Sequence, residues 1–287
     1  MEEIVGSEAM FNFVKNNIIY LVMWLIFVLF GIVLFVLEKK IFYLFNFTYI
    51  GTCVTWGVYL VAKKKNYARN VVQFSIGCYM LIYLGIICRE NMQLEGFWYY
   101  LFLGVFEAAT IHYFLAKIVG PLFFGRGFCG YACWTGMVLD ILPYKKSSKR
   151  VRMLGCIKYL LFVFSFLVVL FLFVFVDQGR EEVMFWLFII GNICYYVVGI
   201  LLAFLLRDNR AFCKYICPVA VFLKPASYFS YLRVKCDRDK CRCCGKCVRN
   251  CPMNVDVLDN SRRRKNGTDC ILCLECVNEC PVKALKL

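Results

Sequence analysis

Residues 241–252 read CRCCGKCVRNCP, and residues 270–281 read CILCLECVNECP. Both stretches follow the pattern C-x2-C-x2-C-x3-C-P, so one cysteine motif occurs twice near the end of the chain. Three thiolates spaced in this way can surround one face of an iron–sulfur cubane, and the fourth cysteine binds the other cluster in two-cluster proteins. The spacing therefore predicts two [4Fe–4S] clusters with crossed ligand sets. The first set is Cys241, Cys244, Cys247 and Cys280, and the second set is Cys270, Cys273, Cys276 and Cys251.

Zinc and disulfide bonds are the ordinary alternatives for so many cysteines. Zinc sites usually consist of two C-x2-C pairs in tetrahedral geometry, which a doubled four-cysteine run followed by proline fits badly. Disulfide bonds require an oxidising compartment, and the topology predicted below places the tail in the cytosol. Two further tail cysteines, Cys236 and Cys243, fall outside the pattern, and we expect them to be structural or to have no role.

The composition is that of a membrane protein. Hydrophobic residues make up 62% of the 287 residues, whereas soluble proteins contain roughly half. The formal net charge is +15, and many basic residues lie in loops beside apolar segments, where a positive-inside bias explains them. No aromatic–basic motif for RNA or DNA is present. We therefore expect membrane lipid, and not nucleic acid, as a partner.

Six transmembrane helices are predicted, because a spanning helix needs roughly 20 apolar residues. They cover about 18–37, 41–62, 70–88, 97–118, 155–176 and 184–206. The segment before the first helix is acidic and has no basic n-region, so we expect this helix to remain in place and not to act as a cleaved signal. Only residues 38–40 separate the first two helices, which predicts an antiparallel hairpin.

The basic residues predict an orientation. They concentrate between helices two and three, between helices four and five, and after helix six, and the positive-inside rule places these loops in the cytosol. We expect a multi-pass cell-membrane protein with both termini and the cysteine-rich tail in the cytoplasm. The predicted domains are a transmembrane helical domain at 1–217, an interfacial connector at 218–234, for which a plain linker is the alternative, and a cytoplasmic cluster domain at 235–287.

The helical part contains an internal repeat of its own. Residues 126–133 read RGFCGYAC, and residues 210–217 read RAFCKYIC. Each copy follows a predicted helix that runs towards the cytosol, and the i, i+4 spacing places its two cysteines on one face of a helical turn. If the copies pack together, Cys129, Cys133, Cys213 and Cys217 converge. Three interpretations stay open, namely a four-thiolate metal or iron–sulfur site, a redox-active dithiol or disulfide, and purely structural cysteines.

Two ionisable residues on the predicted fourth helix are the candidates for catalysis. Glu107 and His112 lie where such groups are costly and often mark proton or quinone chemistry. A polar interface or a local pair is the alternative for each of them. His112 is the only histidine of the chain, which excludes bis-histidine haem ligation within it.

The combination of a helical bundle, two C-x3-C repeats and a two-cluster tail resembles the NapH/NosR-like family of membrane iron–sulfur proteins, in its short NapH-like form. The resemblance covers about residues 97–287. Besides the eight tail cysteines, it rests on Arg126, Cys129, Gly130, Cys133, Gly136, Cys213, Cys217 and Pro218. Two positions depart from the family motif, since Trp134 stands where proline is usual and Ala220 where glycine is common. The resemblance implies quinol oxidation, with a quinone as a further cofactor.

Together these observations predict an all-α polytopic membrane bundle followed by a small α+β domain of the bacterial 2[4Fe–4S] ferredoxin type. We expect an integral-membrane electron-transfer subunit of an oxidoreductase complex, which passes electrons between the cytosolic clusters and a membrane-embedded redox site or partner subunit. Residues 231–287 contain 13 Lys/Arg and 7 Asp/Glu, which suits an acidic soluble carrier such as a ferredoxin or flavodoxin. Other redox subunits are the alternative partners. The alternative functions are a metal-centre assembly factor or metal reductase that uses the C-x3-C cysteines, and a redox-sensing or anchor subunit.

Overall fold

The structure is a computed structural model and is mostly helical. It describes residues 2–63, 65, 67–106, 108–145, 150–151, 153–176 and 178–287, and it describes side chains from Ile18 onward with the exception of Ala108. The chain divides into two units, Met1–Ile76 and Gly77–Leu287. Each unit is described by itself.

The first unit is built on a hairpin of two long apolar helices. Helix α1 spans Glu2–Glu38 and helix α2 spans Ile41–Ala62. Lys39 turns the chain between them in the left-handed conformation, at φ 55°. The helices approach closely at Gly51, where a Cβ atom would lie 2.5 Å from the Cβ atom of Phe27. The predicted antiparallel hairpin is confirmed.

A third helix begins in the first unit and continues into the second. Helix α3 spans Ala68–Cys78 and extends as a π-helical segment, Tyr79–Ile87. The further helices before the tail are α4 (Leu94–Leu103), α5 (Ala108–Tyr113) with a π-helical extension (Phe114–Val119), α6 (Gly120–Phe124), α7 (Gly127–Tyr131), α8 (Trp134–Leu139), α9 (Ile157–Phe175) after a 3-10 turn (Met153–Cys156), α10 (Arg180–Leu206), α11 (Ala211–Tyr215) and α12 (Ala220–Tyr228).

Among the described residues, five helices are long and apolar enough to cross a membrane. They are Ile18–Glu38, Ile41–Ala62, Ala68–Ile87, Met153–Phe175 and Arg180–Leu206. Many of their large apolar side chains are exposed at the surface, as expected of helices that lipid surrounds. These helices coincide with five of the six predicted spans, and the chain is a membrane protein.

The predicted fourth span, residues 97–118, is wrong as a single helix. Helix α4 ends at Leu103 because Gly104 adopts the left-handed conformation, at φ 69°, which terminates an α-helix. The chain then re-forms a shorter apolar helix, Ala109–Phe124. Apolar periodicity predicted the helical content of this segment, but it did not predict the break at the glycine.

The residues that flank the broken segment contact opposite ends of α10. Before α4, the Asn91 side-chain amide donates to the carbonyl oxygen of Met184, near the start of α10, over 2.9 Å. After α6, the Arg126 guanidinium donates to the carbonyl oxygen of Cys213, beyond the end of α10, over 3.4 Å. A sixth crossing of the membrane by this segment stays a prediction.

The predicted connector, 218–234, contains a packed helix. Phe222 of α12 packs its ring against those of Phe97, Trp98 and Phe162, with centroid distances of 5.5, 5.6 and 5.1 Å. Leu223 is fully buried on the same helix. The segment is therefore held against the helices before it, while the predicted domain boundaries at 217 and 234 stay predictions.

The tail folds as a small α+β domain. It contains β1 (Lys235–Cys236), α13 (Lys246–Arg249), a 3-10 turn (Gly267–Asp269), α14 (Glu275–Asn278) and β2 (Leu285–Lys286). The two strands pair antiparallel, with Cys236 opposite Leu285, so the ends of the doubled cysteine motif meet. The predicted fold class, a helical membrane bundle followed by a small α+β domain, is confirmed.

The predicted orientation can be tested with two single-site reporters. Gln178 lies just before α10 and Leu287 ends the tail that follows α10, so the two positions should report opposite sides of the membrane. The positive-inside rule places Leu287 in the cytoplasm. Cysteine accessibility or reporter fusions at both positions measure this, and an external report from Leu287 would contradict the predicted topology.

Candidate metal centre

The two tail motifs follow the same backbone course. Equivalent residues in the two motifs have positive φ angles, namely Cys243 and Leu272, Gly245 and Leu274, and Asn254 and Lys283. A residue other than glycine in this conformation costs on the order of 1–3 kcal/mol, and such residues cluster at ligand sites. Alternating right- and left-handed residues point successive N–H groups into one concavity, as they do at many iron–sulfur sites. The sequence repeat is therefore also a structural repeat.

Backbone amides donate to sulfur atoms at equivalent places in the two motifs. The amide of Val255 lies 3.3 Å from Sγ of Cys251, and the amide of Ala284 lies 3.3 Å from Sγ of Cys280. Each donor follows the fourth cysteine of its motif by four residues. Hydrogen bonds of this kind stabilise ligand thiolates and tune the reduction potential of a cluster.

One cavity in the tail is lined by the four cysteines that the sequence assigns to the second cluster. Cys251, Cys270, Cys273 and Cys276 line this cavity together with apolar residues such as Leu272. Cys251 comes from the first motif and the other three come from the second, so the cysteines around the cavity are those of the predicted crossed set. The residues present fit a [4Fe–4S] cluster, which needs four thiolates.

The first ligand set lies nearer the surface. Cys241 and Cys244 interact electrostatically with the thiol of Cys247, which is buried, whereas Cys244 is exposed. Cys280 lies just before β2, and β2 pairs with the strand that leads to Cys241. The structure thus brings the first set to the outer side of the tail, although the assignment of all eight ligands stays a prediction.

The two unassigned tail cysteines have different environments. Cys236 is buried in β1, where burial and contact with the thiol of Cys241 raise its pKa to about 11. Cys243 is exposed and occupies one of the left-handed positions. These environments suit the structural role, or absence of a role, predicted for them.

Among the described residues, no three cysteine, histidine or acidic side chains stand close enough together to bind a single metal ion. In a [4Fe–4S] cluster each cysteine binds a different iron atom, so the ligand sulfurs stand further apart than the four ligands of a zinc ion.

The two C-x3-C copies have matching hydrogen bonds. In each copy the amides of the last two residues donate to the phenylalanine carbonyl, over 2.9 and 3.1 Å at Phe128 and over 2.9 and 3.0 Å at Phe212. The first cysteine lies within the short helix α7 or α11, and the second lies beyond its end. We expected both cysteines of each copy to lie on one helical turn. This is wrong in detail, because the helices end at Tyr131 and Tyr215, before the second cysteine.

The arginine of each copy contacts both copies. Arg126 Nη2 donates to the carbonyl oxygen of Cys213 over 3.4 Å and lies 3.9 Å from Sγ of Cys129. Arg210 Nη1 donates to the carbonyl oxygen of Cys129 over 3.1 Å and lies 3.7 Å from Sγ of Cys213. Both arginines are buried. This reciprocal exchange holds the two leading cysteines side by side.

All four thiols of the repeats lie within one electrostatic neighbourhood. Burial, followed by the nearby thiols of Cys213, Cys129 and Cys133, raises the pKa of Cys217 to about 12. Burial also raises the pKa of Cys213 to about 11, against the opposing charge of Arg210. These mutual effects show that the four thiols lie close together in a buried site. The convergence expected from the repeat is present.

A buried lysine that the sequence analysis missed faces the same thiols. Lys117 lies on the π-helical segment, with its ammonium 2.9 Å from the ring centroid of Phe128. It interacts electrostatically with the thiols of Cys133, Cys129 and Cys217. π-helical turns occur frequently at functional sites. The available signal was a lysine within an otherwise apolar run, which is costly in a membrane.

Of the two candidate catalytic residues, the structure describes one. His112 is buried, with its ring centroid 5.1 Å from that of Phe128, and its Nε2 atom has no hydrogen-bond partner among the described residues. Glu107 lies outside the described residues. The buried carboxylate in this region is instead Glu95, which the sequence analysis missed and which interacts with Ser165. A catalytic role for His112 or Glu107 stays a prediction.

The first C-x3-C copy is joined to the second ligand set by a buried ion pair. The Arg126 amide donates to the carbonyl oxygen of Cys270 over 3.2 Å, and the Arg126 guanidinium lies 2.7 Å from the carboxylate of Asp269. Arg150 and Lys224 also pair with this carboxylate, at 2.7 and 3.5 Å. Burial alone would raise the pKa of Asp269, but the charges of Arg126, Lys224 and Arg150 hold it well below its usual range.

The same copy packs along the rest of the ligand loop. The Tyr131 hydroxyl donates to the carbonyl oxygen of Leu272 over 3.1 Å. A Cβ atom on Gly130 would lie 2.4 Å from the carbonyl oxygen of Ile271, so this contact requires glycine. The glycine of the repeat therefore permits close approach between the two backbones.

The second C-x3-C copy contacts the remaining part of the second set. The Lys214 ammonium lies 2.5 Å from the carboxylate of Asp208 and 2.8 Å from the side-chain oxygen of Asn254. Asn254 follows Cys251 by three residues. Both copies of the repeat therefore contact segments that carry ligands of the second cluster.

The two departures from the family motif have structural roles. Trp134 donates from its indole nitrogen to the side-chain oxygen of Asn192 on α10, over 2.7 Å, and so fixes α8 on that helix. Ala220 is fully buried at the start of α12.

Comparisons with protein families agree with iron–sulfur binding. Two family models, each described as a 4Fe-4S binding domain, match the chain. One matches residues 109–153 and again 192–235, which include the two C-x3-C copies. The other matches residues 264–286, which include the second tail motif. The chain therefore contains 4Fe-4S ferredoxin-type domains, and the predicted iron–sulfur cofactors are confirmed at this level.

Similar proteins include two from Methanocaldococcus jannaschii. The uncharacterized protein MJ0749 is 26% identical over 245 residues, which cover 83% of this chain and 93% of that protein. The uncharacterized protein MJ0750 is 25% identical over 231 residues, which cover 69% and 94%. The "Putative electron transport protein YccM" of Escherichia coli is 32% identical over 85 residues, only 30% of this chain and 23% of YccM. No solved structure matches the chain. The resemblance to the NapH/NosR-like family stays a prediction.

Replacement of Asp269 by asparagine tests the ion pair between the repeat and the ligand loop. The change leaves the buried Arg126 without its carboxylate partner, which should lower the free energy of unfolding by about 3–5 kcal/mol. Denaturant unfolding of the anaerobic protein in detergent, followed by cluster absorbance, measures the effect. Asp239→Asn is the matched control, because Asp239 is exposed on the same domain. Equal stability of the two variants would contradict the assigned role.

Proposed function

We propose that this protein is an integral-membrane electron carrier. Electrons pass between the first tail cluster at the surface, the second tail cluster, and a redox site or partner in the membrane. The observation that carries this proposal is the contact between the C-x3-C repeat and the loop Asp269–Leu272, which presents ligands of the second cluster to the helical bundle.

Exposure and contacts of the two ligand sets support this order. Cys244 of the first set is exposed although Cys247 is buried, whereas Cys251 and Cys276 of the second set are buried and its other two cysteines are half-buried. Cys247, Cys251 and Cys276 share one buried core with Cys129 and Cys213, and the hydrogen bonds from the repeats reach the second set, at Cys270 and at Asn254 beyond Cys251. Continuous packing without intervening solvent suits electron transfer between the second set and the bundle. The first set is left to receive or deliver electrons at the free surface.

The surface near the first set suits an acidic soluble partner. Arg242, Lys246 and Arg249 are exposed within the first ligand motif. Among the described carboxylates, that of Glu279 lies 2.7 Å from Lys246, and none lies at salt-bridge distance from Arg242 or Arg249. A basic surface attracts an acidic carrier and accelerates its association. We therefore propose a ferredoxin or flavodoxin as the soluble partner, on the cytoplasmic side.

The proposed reactant in the membrane is supported by the resemblance to a known family and by the similar proteins. Part of the chain is similar to a protein that carries an electron-transport name, and the resemblance to the NapH/NosR-like family suggests quinol-dehydrogenase chemistry. Function is not fixed by fold. We therefore propose a quinone or a partner subunit as the membrane reactant, within an oxidoreductase complex.

Charge reversal beside the first cluster tests the proposed docking surface. Arg242→Glu should slow reduction by an acidic ferredoxin several-fold at low salt, because it removes attraction at the exposed cluster. Arg263→Glu is the matched control, since Arg263 is equally exposed but lies on the loop next to Arg262, which contacts the carbonyl oxygen of Tyr228. Stopped-flow reduction at increasing ionic strength measures both rates.

The salt dependence separates the two kinds of partner. The rate of the unchanged protein should fall steeply with salt, because exposed charges are screened over roughly 8 Å at physiological ionic strength. A rate that does not depend on salt, or equal slowing of both variants, would contradict a soluble acidic carrier.

A further inference from the structure

We infer that Cys129, Cys133, Cys213 and Cys217 hold a third iron–sulfur cluster, shared between the two copies of the internal repeat. The inference rests on the proposed function and deepens it, because it supplies the redox group at the membrane end of the route. Each copy contributes two thiolates, so the cluster joins the chain before α8 to the chain after α10.

The first argument is the reciprocal position of the two arginines. Arg126 spans from Sγ of Cys129 to the carbonyl oxygen of Cys213, and Arg210 spans from Sγ of Cys213 to the carbonyl oxygen of Cys129. If the cysteines only filled space, these reciprocal arginine contacts would not be needed. A shared ligand site needs them, because the sulfurs of Cys129 and Cys213 must be held at a fixed separation.

The second argument is charge. A cluster with four thiolate ligands is an anion, and a buried anion needs compensation. Arg126 and Arg210 donate towards the sulfurs of Cys129 and Cys213, and the buried Lys117 interacts with three of the four thiols. Arg126 and Arg210 also pair with Asp269 and Asp140. Because Arg150 and Lys224 share Asp269, these five cations and two carboxylates keep a net positive charge beside the four thiols.

The third argument is the likeness to the tail sites. The amide of Gly136 donates to Sγ of Cys133 over 3.4 Å, in the way that Val255 donates to Sγ of Cys251 over 3.3 Å. A family model described as a 4Fe-4S binding domain matches the chain around each copy of the repeat. A backbone amide thus donates to a cysteine sulfur in the bundle as in the tail, although Gly136 follows its cysteine by three residues, at the N-cap of α8, and Val255 follows its cysteine by four.

The position of this site completes the route. Arg126 contacts the carbonyl oxygen of Cys270 and Lys214 contacts Asn254, so both copies lie against segments that ligate the second cluster. The third cluster would therefore exchange electrons with the second cluster and not with the first. Each transfer moves one electron between clusters and forms or breaks no covalent bond.

The test is the iron and sulfide content of the full-length protein, purified anaerobically in detergent. The unchanged protein should contain about twelve iron atoms if the third cluster is [4Fe–4S], or about ten if it is [2Fe–2S]. Cys213→Ser should contain about eight, with the EPR signals of both tail clusters retained. Cys194→Ser is the control, because this cysteine is exposed on α10 and should leave the iron content unchanged.

A second pair of variants keeps the test decisive if Cys213→Ser does not fold. Arg210→Gln removes a cation beside Cys213 and should shift one EPR signal to a more negative reduction potential, whereas Arg210→Lys should restore most of that potential. The signals of the two tail clusters should not move. An unshifted set of potentials in Arg210→Gln would overturn the inference.

Two further results would also overturn the inference. The first is an iron content of only about eight atoms in the unchanged protein. The second is a zinc ion, a copper ion or a disulfide bond at the four cysteines. If the protein has about eight iron atoms and still passes electrons from a ferredoxin to a membrane acceptor, the third cluster is wrong while the proposed function stands. If the iron content is as expected but no electrons pass, the proposed function fails and the third cluster stands.

Discussion

The buried ion pair between Arg126 and Asp269 is the interaction on which the arrangement of the tail depends. The two residues are 143 positions apart, and their charged atoms lie 2.7 Å apart with almost no exposure to solvent. Because a buried charge without a partner is strongly destabilising, neither residue can leave its place independently. The pair fixes the ligand loop of the second cluster against the first C-x3-C copy. Arg150 and Lys224 reinforce it from two other segments of the chain.

A second constraint acts within the tail itself. Leu272 and Leu274 adopt positive φ angles, which bulky side chains rarely tolerate. The first motif has Cys243 and Gly245 at the equivalent positions, so the backbone course is the same although the side chains differ. Such strain persists where surrounding structure or a ligand enforces it. We interpret the repeated left-handed turns as the means by which both motifs wrap amides and thiols around a cluster.

Local sequence patterns predicted much of the fold and of the site in the tail. The cysteine spacing predicted two crossed ligand sets, and the structure brings Cys251 together with Cys270, Cys273 and Cys276 around one cavity. Apolar runs predicted five helices at their observed places. The repeat predicted that the C-x3-C copies converge. Each of these signals is a short-range spacing or periodicity, which a single sequence displays directly.

What the sequence did not reveal depends on conformation or on contacts between distant residues. Gly104 breaks the predicted fourth span through its left-handed conformation, and nothing in the apolar pattern distinguishes it from Gly191 within α10. The pairing of Asp269 with Arg126 and the contact of Lys117 with the ring of Phe128 join different elements, which no local spacing displays. Ion pairs of this kind become visible only when the fold brings their members together.

The route from the first cluster through the second to the bundle is tested most directly by rapid-freeze-quench EPR. Oxidised protein in detergent is mixed with a reduced acidic ferredoxin, and the cluster signals are followed in time. The signal of the second cluster is identified as the one that Cys273→Ser changes, since Cys273 lines the cavity of the second ligand set. The first cluster should become reduced before the second. Reduction of the second cluster ahead of the first would contradict this route.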